Sequence, residues 1–170
     1  WDWALFAGSV VPSLVFGVAF GNLLLGLPFS FDDTMRSTYT GSFWALLNPF
    51  ALLCGLVSLL MLLTHGAAHL RMKADPIVAE RAGRIMRLTA LGTLLLFLAA
   101  GVLVATHVDG FAITKMAATD SPANPLLKQV TTGPGLWLSN YQTYPWMMAA
   151  PIVACLCALL AALLATSRAY

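Results

Sequence analysis

The sequence predicts an all-α fold, a polytopic transmembrane helix bundle with four membrane-spanning helices. Charged residues make up only 9% of the 170 residues, against about 25% in a typical soluble domain. Hydrophobic residues make up 59%, and the mean hydropathy is +0.82. A membrane helix needs roughly 20 apolar residues, and four stretches without a charged residue are long enough: 3–31, 37–70, 88–108 and 129–167. This composition excludes a water-soluble domain and an intrinsically disordered chain.

The first two helices are predicted at residues 4–27 and 43–66. Pro28 ends the first of them, because proline cannot continue a helix. The loop between them, 28–42, contains two adjacent aspartates and is expected to form a solvated turn.

The third helix is predicted over 76–106, after a short inner loop at 67–75. The pair Asp75-Pro76 indicates a helix start, because a carboxylate at the N-cap accepts backbone N–H bonds and proline suits the first helical position. At 1.5 Å per residue this helix is roughly 45 Å long. Its first turns are therefore expected to project beyond a hydrocarbon core of about 30 Å.

The fourth helix is predicted at 145–167, after a long loop at 107–144 that prolines and glycines interrupt. Within that loop, a short interfacial helix is expected around 124–132. Aromatic residues flank the predicted spans, in keeping with the preference of Trp and Tyr for the headgroup level. They are Trp1, Trp3, Tyr39, Trp44, Trp137, Tyr141, Tyr144, Trp146 and Tyr170.

Basic residues predict the orientation, because loops rich in Lys and Arg stay on the cytoplasmic side. One side carries Arg71, Lys73, Arg81, Arg84, Arg87 and Arg168, and the other carries Arg36, Lys115 and Lys128 over a greater length. Both ends of the chain are therefore predicted to be cytoplasmic, and the loops 28–42 and 107–144 are predicted to lie outside.

Gly17, Gly21 and Asn22, in the first helix, are the candidate helix-packing residues. Two glycines spaced four apart allow close approach of helices in a membrane. A strongly polar side chain is costly in lipid, so Asn22 is expected to form an interhelical hydrogen bond. A contact with a ligand or with water is the alternative for this residue.

Three histidines, His65, His69 and His107, raise the question of metal or haem binding. His65 and His69 share one face of the second helix near its inner end, whereas His107 lies at the outer end of the third. A haem with two histidine ligands needs them at one membrane depth. We therefore predict interfacial or hydrogen-bonded histidines and leave their role open.

No motif for self-contained catalysis is present. The sequence contains no nucleophile triad, P-loop, dinucleotide fingerprint or zinc set, and a net charge of +2 is too small for a nucleic-acid binder. Cys54, Cys155 and Cys157 lie in apolar runs and are expected to be small buried hydrophobes. We predict no catalytic, cofactor-binding or metal-binding residue. Because the chain opens on Trp1 without methionine, we expect a segment of a longer polypeptide.

Several short segments occur in a recognisable order and spacing. They are Trp1-Asp2-Trp3, Gly17-Val18-Ala19-Phe20-Gly21-Asn22-Leu23-Leu24, Leu27-Pro28-Phe29, Tyr39-Thr40-Gly41, Leu47-Asn48-Pro49-Phe50, Asp109-Gly110, Asn124-Pro125-Leu126 and Trp137-Leu138. Together they resemble subunit II of the bacterial cytochrome bd ubiquinol oxidase family, over essentially the whole chain. The full subunit of that family has further helices before and after this segment.

The resemblance implies an accessory subunit of a quinol:oxygen oxidoreductase in the bacterial inner membrane. In that family, electrons from quinol reduce O₂ to water, and protons taken from the cytoplasm generate a proton motive force. The haems of b and d type belong to subunit I, and subunit II packs against it and holds a structural quinone in some members. The implied partners are subunit I, a small single-helix subunit, the lipid bilayer and quinol.

Two other functions are compatible with the composition. Half of a small-molecule transporter would need polar groups converging at mid-membrane. A stand-alone membrane di-haem cytochrome would use the three histidines as ligands. A haem spectrum and copurification with a haem-bearing subunit distinguish these alternatives from the oxidase subunit.

Overall fold

A computed structural model describes residues 1–122 and 124–165 of the chain. Four helices in that part are long and apolar enough to cross a membrane, so the predicted four-span, mainly α-helical class is confirmed. In chain order, the helices are α1 (Asp2–Leu25), α2 (Pro49–Lys73), α3 (Pro76–Thr106), a short α4 (Ser139–Thr143) and α5 (Ala149–Leu164).

The long helices pack in chain order, α1 against α2, α2 against α3, and α3 against α5. Small side chains form the contacts: Ala51 and Ala90 are fully buried, whereas Leu88 is 72% exposed. In lipid, apolar side chains have no reason to turn inward, and helices associate through close packing and interhelical hydrogen bonds. This arrangement of small residues inside and leucines outside is therefore the one expected of a membrane protein.

α2 starts and ends later than the predicted range 43–66. Residues Trp44–Leu47 form a 3₁₀ turn, and Asn48 caps the α-helix that follows. The helix then continues to Lys73, because a long basic side chain in the last turn reaches the headgroups while its apolar stem stays in lipid.

Smaller differences concern the other predicted ends. α1 spans Asp2–Leu25 instead of 4–27, because Gly26 leaves the helix with a φ of 81°. The inner loop, predicted at 67–75, consists only of residues 74 and 75 between the two helices. Asp75 is the N-cap of α3, but its carboxylate forms no capping hydrogen bond, which corrects the predicted role of that side chain.

The last membrane helix was predicted at 145–167. Residues Pro145–Met148 form a 3₁₀ turn that leads directly into α5, and the whole helical segment spans Pro145–Leu164. The predicted end at residue 167, together with Arg168 and Tyr170, lies outside the described residues.

Two antiparallel hairpins, absent from the sequence prediction, lie between the helices. They are β1 (Phe29–Phe31) with β2 (Ser37–Tyr39), and β3 (Asp109–Lys115) with β4 (Gln129–Pro134). We call the end of the bundle that carries both hairpins the hairpin end, and the opposite end, with the turn between α2 and α3, the basic end.

The interfacial helix expected around 124–132 was a wrong prediction. Residues Pro125–Leu127 form only a 3₁₀ turn, and β4 begins at Gln129. The run Val130-Thr131-Thr132 explains the difference, because β-branched side chains favour a strand, and here a partner strand is available in β3.

Asp32 organises the turn of the first hairpin. Its Oδ1 accepts the backbone N–H groups of Thr34 and Arg36 at 2.9 and 2.8 Å, and the Thr34 hydroxyl at 2.7 Å. These bonds, that from Arg36 first, lower the pKa of Asp32 below its ordinary value. They also hold Met35 at a φ of 63°, a conformation that side chains other than Asn or Asp adopt rarely.

The first hairpin is therefore expected to loosen in acid. The pKa of Asp32 is lower in the folded state than in the unfolded state, so the stabilisation is complete above about pH 4, the usual carboxyl value, and is lost as the pH falls through the lowered pKa. Hydrogen exchange of residues 29–39, corrected for the intrinsic rate, should show protection falling over that interval. Asp32→Asn should remove this pH dependence, whereas Asp33→Asn should keep it. An unchanged profile in Asp32→Asn would contradict this role of the carboxylate.

Candidate functional site

The structure places Gly17 and Gly21 at the contact between α1 and α2. A Cβ built on Gly17 would lie 2.6 Å from the Gly55 Cα and would overlap the carbonyl oxygen of Cys54. A Cβ on Gly21 would lie 2.6 Å from the Cα of Ala51. Because these neighbours are backbone atoms, they cannot rotate away, and only glycine permits this separation of the two helices.

Asn22 continues the same contact toward the hairpin end and is almost completely buried. Its Nδ2 donates to the carbonyl oxygens of Val18 and Leu46, both at 2.8 Å. Its Oδ1 accepts from Nδ2 of Asn48 at 3.0 Å, and Oδ1 of Asn48 accepts the backbone N–H of Ala51 at 2.8 Å. The two amides therefore connect α1 to the first turn of α2, and every polar atom of the Asn22 side chain has a partner.

A second polar contact joins α2 to α3. The hydroxyl of Thr64 donates to the Thr89 Oγ1 at 2.9 Å, and the hydroxyl of Thr89 donates in turn to the carbonyl oxygen of Ile85 at 2.9 Å. Interhelical hydroxyl bonds of this kind stabilise membrane helix pairs by a modest amount, about 0.6 kcal/mol on average. This bond also sets Thr64 and Thr89 at the same depth in the bundle.

Trp137 closes the hairpin end. Its indole Nε1 donates to the carbonyl oxygen of Leu24, in the last turn of α1, at 3.1 Å. Its ring lies edge-on to Phe111, with centroids 5.7 Å apart. Phe111 in turn covers Gly26, where a Cβ would lie 2.6 Å from the ring, and Gly110 leaves room for the backbone of Trp137. The second hairpin is thus anchored to the end of α1.

The three histidines do not converge. His65 and His69 have exposed rings on α2, near the basic end. His107 follows α3 at the hairpin end, where Nδ1 lies 2.6 Å from the Thr106 hydroxyl. Thr89 of α3 lies at the depth of His65, because it bonds the neighbouring Thr64. From Thr89 to His107 the chain advances 18 residues, which at 1.5 Å per residue separates the two depths by about 27 Å. One haem iron therefore cannot bind His65 and His107 together. The described residues contain no group of three or more potential metal ligands.

Two clefts share His65, the first near the middle of the bundle and the second toward the basic end. The first, of about 500 Å³, lies between α2, α3 and α5, and its polar lining is Thr64, His65 and Thr93. The second, of about 650 Å³, lies between α1, α2 and α3, and its polar lining is Ser9, Ser13, His65 and His69. Neither lining includes a carboxylate or a cationic Lys or Arg. Such clefts suit apolar chains or neighbouring helices better than acid–base chemistry.

The cysteines are free thiols in the described part of the chain. Cys54 lies at the α1–α2 contact, beside Gly17 and Gly21. Cys155 and Cys157 line the first cleft, and Cys157 is exposed. The expectation that all three are buried is wrong for Cys157, which is exposed, and Cys54 and Cys155 are only half-buried. The exposure of Cys157 follows because, within the described residues, α5 packs against α3 on only part of its surface.

Several contributing residues were missed from the sequence. Ala51 and Gly55 form a small-residue pair spaced four apart, the counterpart on α2 of the glycines on α1, and this spacing was a usable signal. Asn48-Pro49 is a helix-start signal of the kind recognised at α3. No local signal identifies Trp137 as the partner of Leu24, because the contact joins positions 113 apart.

Comparison with known proteins identifies similar chains. Residues 1–169 match the family described as cytochrome bd terminal oxidase subunit II. "Probable cytochrome oxidase subunit 2" of Haemophilus influenzae is 47% identical over 160 residues, which are 94% of this chain and 42% of that protein. "Cytochrome bd-I ubiquinol oxidase subunit 2" of Escherichia coli K12 is 44% identical over 151 residues, 89% of this chain and 40% of that protein. The chain spans about two fifths of the length of these curated relatives.

Proposed function

This chain belongs to the cytochrome bd terminal oxidase subunit II family, and from that premise we propose that it forms part of the second subunit of a bacterial quinol oxidase. The complex oxidises quinol, reduces O₂ to water and generates a proton motive force. The observation that carries the proposal is the family match along residues 1–169, in a chain with four apolar, membrane-length helices.

Within that complex, the proposed role of this chain is structural support for a haem-bearing subunit I. The buried polar side chains of the membrane helices, Asn22 and Thr89, form bonds to a neighbouring helix or its first turn. The histidines lie at opposite ends of the bundle, so the geometry does not suit a haem held between them. As the resemblance to the family implies, haems b and d are proposed to belong to subunit I.

We also propose a location, an orientation and partners for this chain. The complex lies in the inner membrane, with the basic end of this chain toward the cytoplasm, in keeping with the concentration of Arg and Lys at that end. The proposed partners are subunit I, a small single-helix subunit and quinol as the substrate of the complex. A structural quinone in the full-length subunit stays a prediction.

Two linked measurements on the full-length complex test the oxidase assignment. A tagged full-length subunit should copurify with a larger polypeptide that carries haem. In the same preparation, the triple variant His65→Ala/His69→Ala/His107→Ala should keep the haem content per mole of complex, measured from reduced-minus-oxidised spectra, because none of these imidazoles is expected to bind iron.

The two measurements distinguish the transporter alternative from the haem-binding alternative. Isolation of the tagged subunit without any haem-bearing partner would contradict the oxidase role and favour the transporter alternative. Loss of one haem per complex in the triple variant, with subunit I still present in equal amount, would favour the alternative in which this chain binds haem itself.

A further inference from the structure

One face of α3 points away from the rest of the bundle along its whole length. Ile77, Leu88, Leu95 and Val102 are 72, 72, 66 and 62% exposed, and their spacing places them on a single stripe of the helix. The buried residues of α3 lie on the other side, toward α2 and α5. They are Ala79, Ala82, Gly83, Met86, Thr89 and Ala90.

The same face becomes basic near the start of the helix. Arg81 and Arg84 lie on the stripe between Ile77 and Leu88, and Arg87 lies beside them; all three are exposed. Arg84 pairs with Glu80 at 2.6 Å, whereas no ion pair involves Arg81 or Arg87 within 1–122 and 124–165. This part of the surface therefore carries a net positive charge that the described protein residues do not neutralise.

The depth of these arginines matches a lipid headgroup layer. α3 contains 31 residues and is about 46 Å long, so a hydrocarbon core of about 30 Å measured from its end at Thr106 stops near residue 87. Arg87 then lies at the boundary, and Arg84 and Arg81 lie about 5 and 9 Å beyond it. Leu88, Leu95 and Val102 lie within the hydrocarbon region.

We propose that this face of α3 binds an anionic phospholipid, with the headgroup phosphate at Arg81 and Arg87 and an acyl chain along Leu88, Leu95 and Val102. Basic residues at the membrane surface attract anionic lipids, and the exposed apolar stripe directly below them gives the acyl chain a contact surface. A free phosphate ion would contact only the arginines, so the exposed apolar stripe beside them favours a lipid.

A lipid titration of the full-length complex tests this site. The delipidated complex in detergent is titrated with phosphatidylglycerol or with phosphatidylcholine, and bound lipid is counted by native mass spectrometry. In Arg81→Gln/Arg87→Gln, which leaves the Arg84–Glu80 pair intact, the midpoint for phosphatidylglycerol should rise about thirtyfold. This estimate takes roughly 1 kcal/mol per basic residue at an anionic surface and 1.4 kcal/mol per tenfold.

Two control variants separate this site from general charge effects and from misfolding. Lys115→Gln/Lys128→Gln removes two exposed cations from the hairpin end and should bind phosphatidylglycerol like the wild type. Arg81→Lys/Arg87→Lys keeps the charge and should retain most of the binding. Equal losses in the two glutamine variants would overturn the proposal, as would equal affinity for the two lipids, or full displacement of phosphatidylglycerol by inorganic phosphate.

Discussion

Gly17→Ile should separate α1 from α2 and prevent normal assembly of the subunit. Even the first side-chain carbon would overlap the backbone of Cys54 and lie 2.6 Å from the Gly55 Cα, and a β-branched residue adds three more carbons. Overpacking usually costs about 1–3 kcal/mol. Because the obstacle here is backbone, we expect about 3 kcal/mol or more. The measurement is the yield of assembled complex, together with the unfolding free energy of the full-length subunit in bicelles.

Gly8→Ile is the matched control for this experiment. Gly8 is on the same helix, and a Cβ there would meet nothing within 4 Å, so the two variants share the same change in helix propensity and hydrophobicity. We expect Gly8→Ile to assemble like the wild type. If both variants assemble at wild-type yield, the α1–α2 contact described for Gly17 does not contribute to the stability of the protein.

Asn22→Leu should produce the second largest effect. The substitution keeps a similar volume but removes the donor to the Leu46 carbonyl and the acceptor for Asn48 Nδ2. Asn22 is buried, and its partners Leu46 and Asn48 are half-buried, so we expect the cost of leaving these partners unsatisfied to lie in the lower part of the usual range of about 1–3 kcal/mol. The expected result is a loss of that size in the unfolding free energy, and a first turn of α2 that exchanges amide hydrogen faster.

A double-mutant cycle separates the contact from a general effect of removing polarity. Asn22→Leu and Asn48→Leu should combine to less than the sum of their single effects, because each already breaks the shared bond. Asn140→Leu, an exposed asparagine whose side chain forms no hydrogen bond within the described residues, should change stability little. Additive effects of Asn22→Leu and Asn48→Leu would show that the Oδ1–Nδ2 bond contributes nothing.

The number of spans could be predicted because it depends on the length and position of the uncharged apolar stretches along the chain. A stretch such as 88–108 without charge has no alternative to lipid as its solvent. The start of α2 was harder, because Trp44–Leu47 are as apolar as the helix itself, and only the cap at Asn48 marks the boundary. The hairpin of β3 and β4 could not be predicted from apolar content, because each short strand depends on a partner well separated from it in the sequence.

The candidate packing residues were predictable only in part. The spacing of Gly17 and Gly21 indicates that some helix approaches closely, but their partners, Ala51 and Gly55, follow from the relative depth of two helices. Asn22 was identified because an amide in lipid needs a partner. One of its hydrogen-bond partners is Asn48. The Asn48 side chain also caps α2, so it contributes both to the start of that helix and to the contact between helices.

The bond from Trp137 to the Leu24 carbonyl has a consequence for biosynthesis. Positions 113 apart are made at different times, and at about 5–20 residues per second the ribosome needs roughly 6 to 23 seconds to reach the tryptophan after the leucine. During that delay the two membrane helices between these positions, α2 and α3, are synthesised, while the last turn of α1 still lacks its hydrogen bond from Trp137. The hydrogen bond from the Trp137 indole can therefore form only after α1, α2 and α3 have been made and can contact one another.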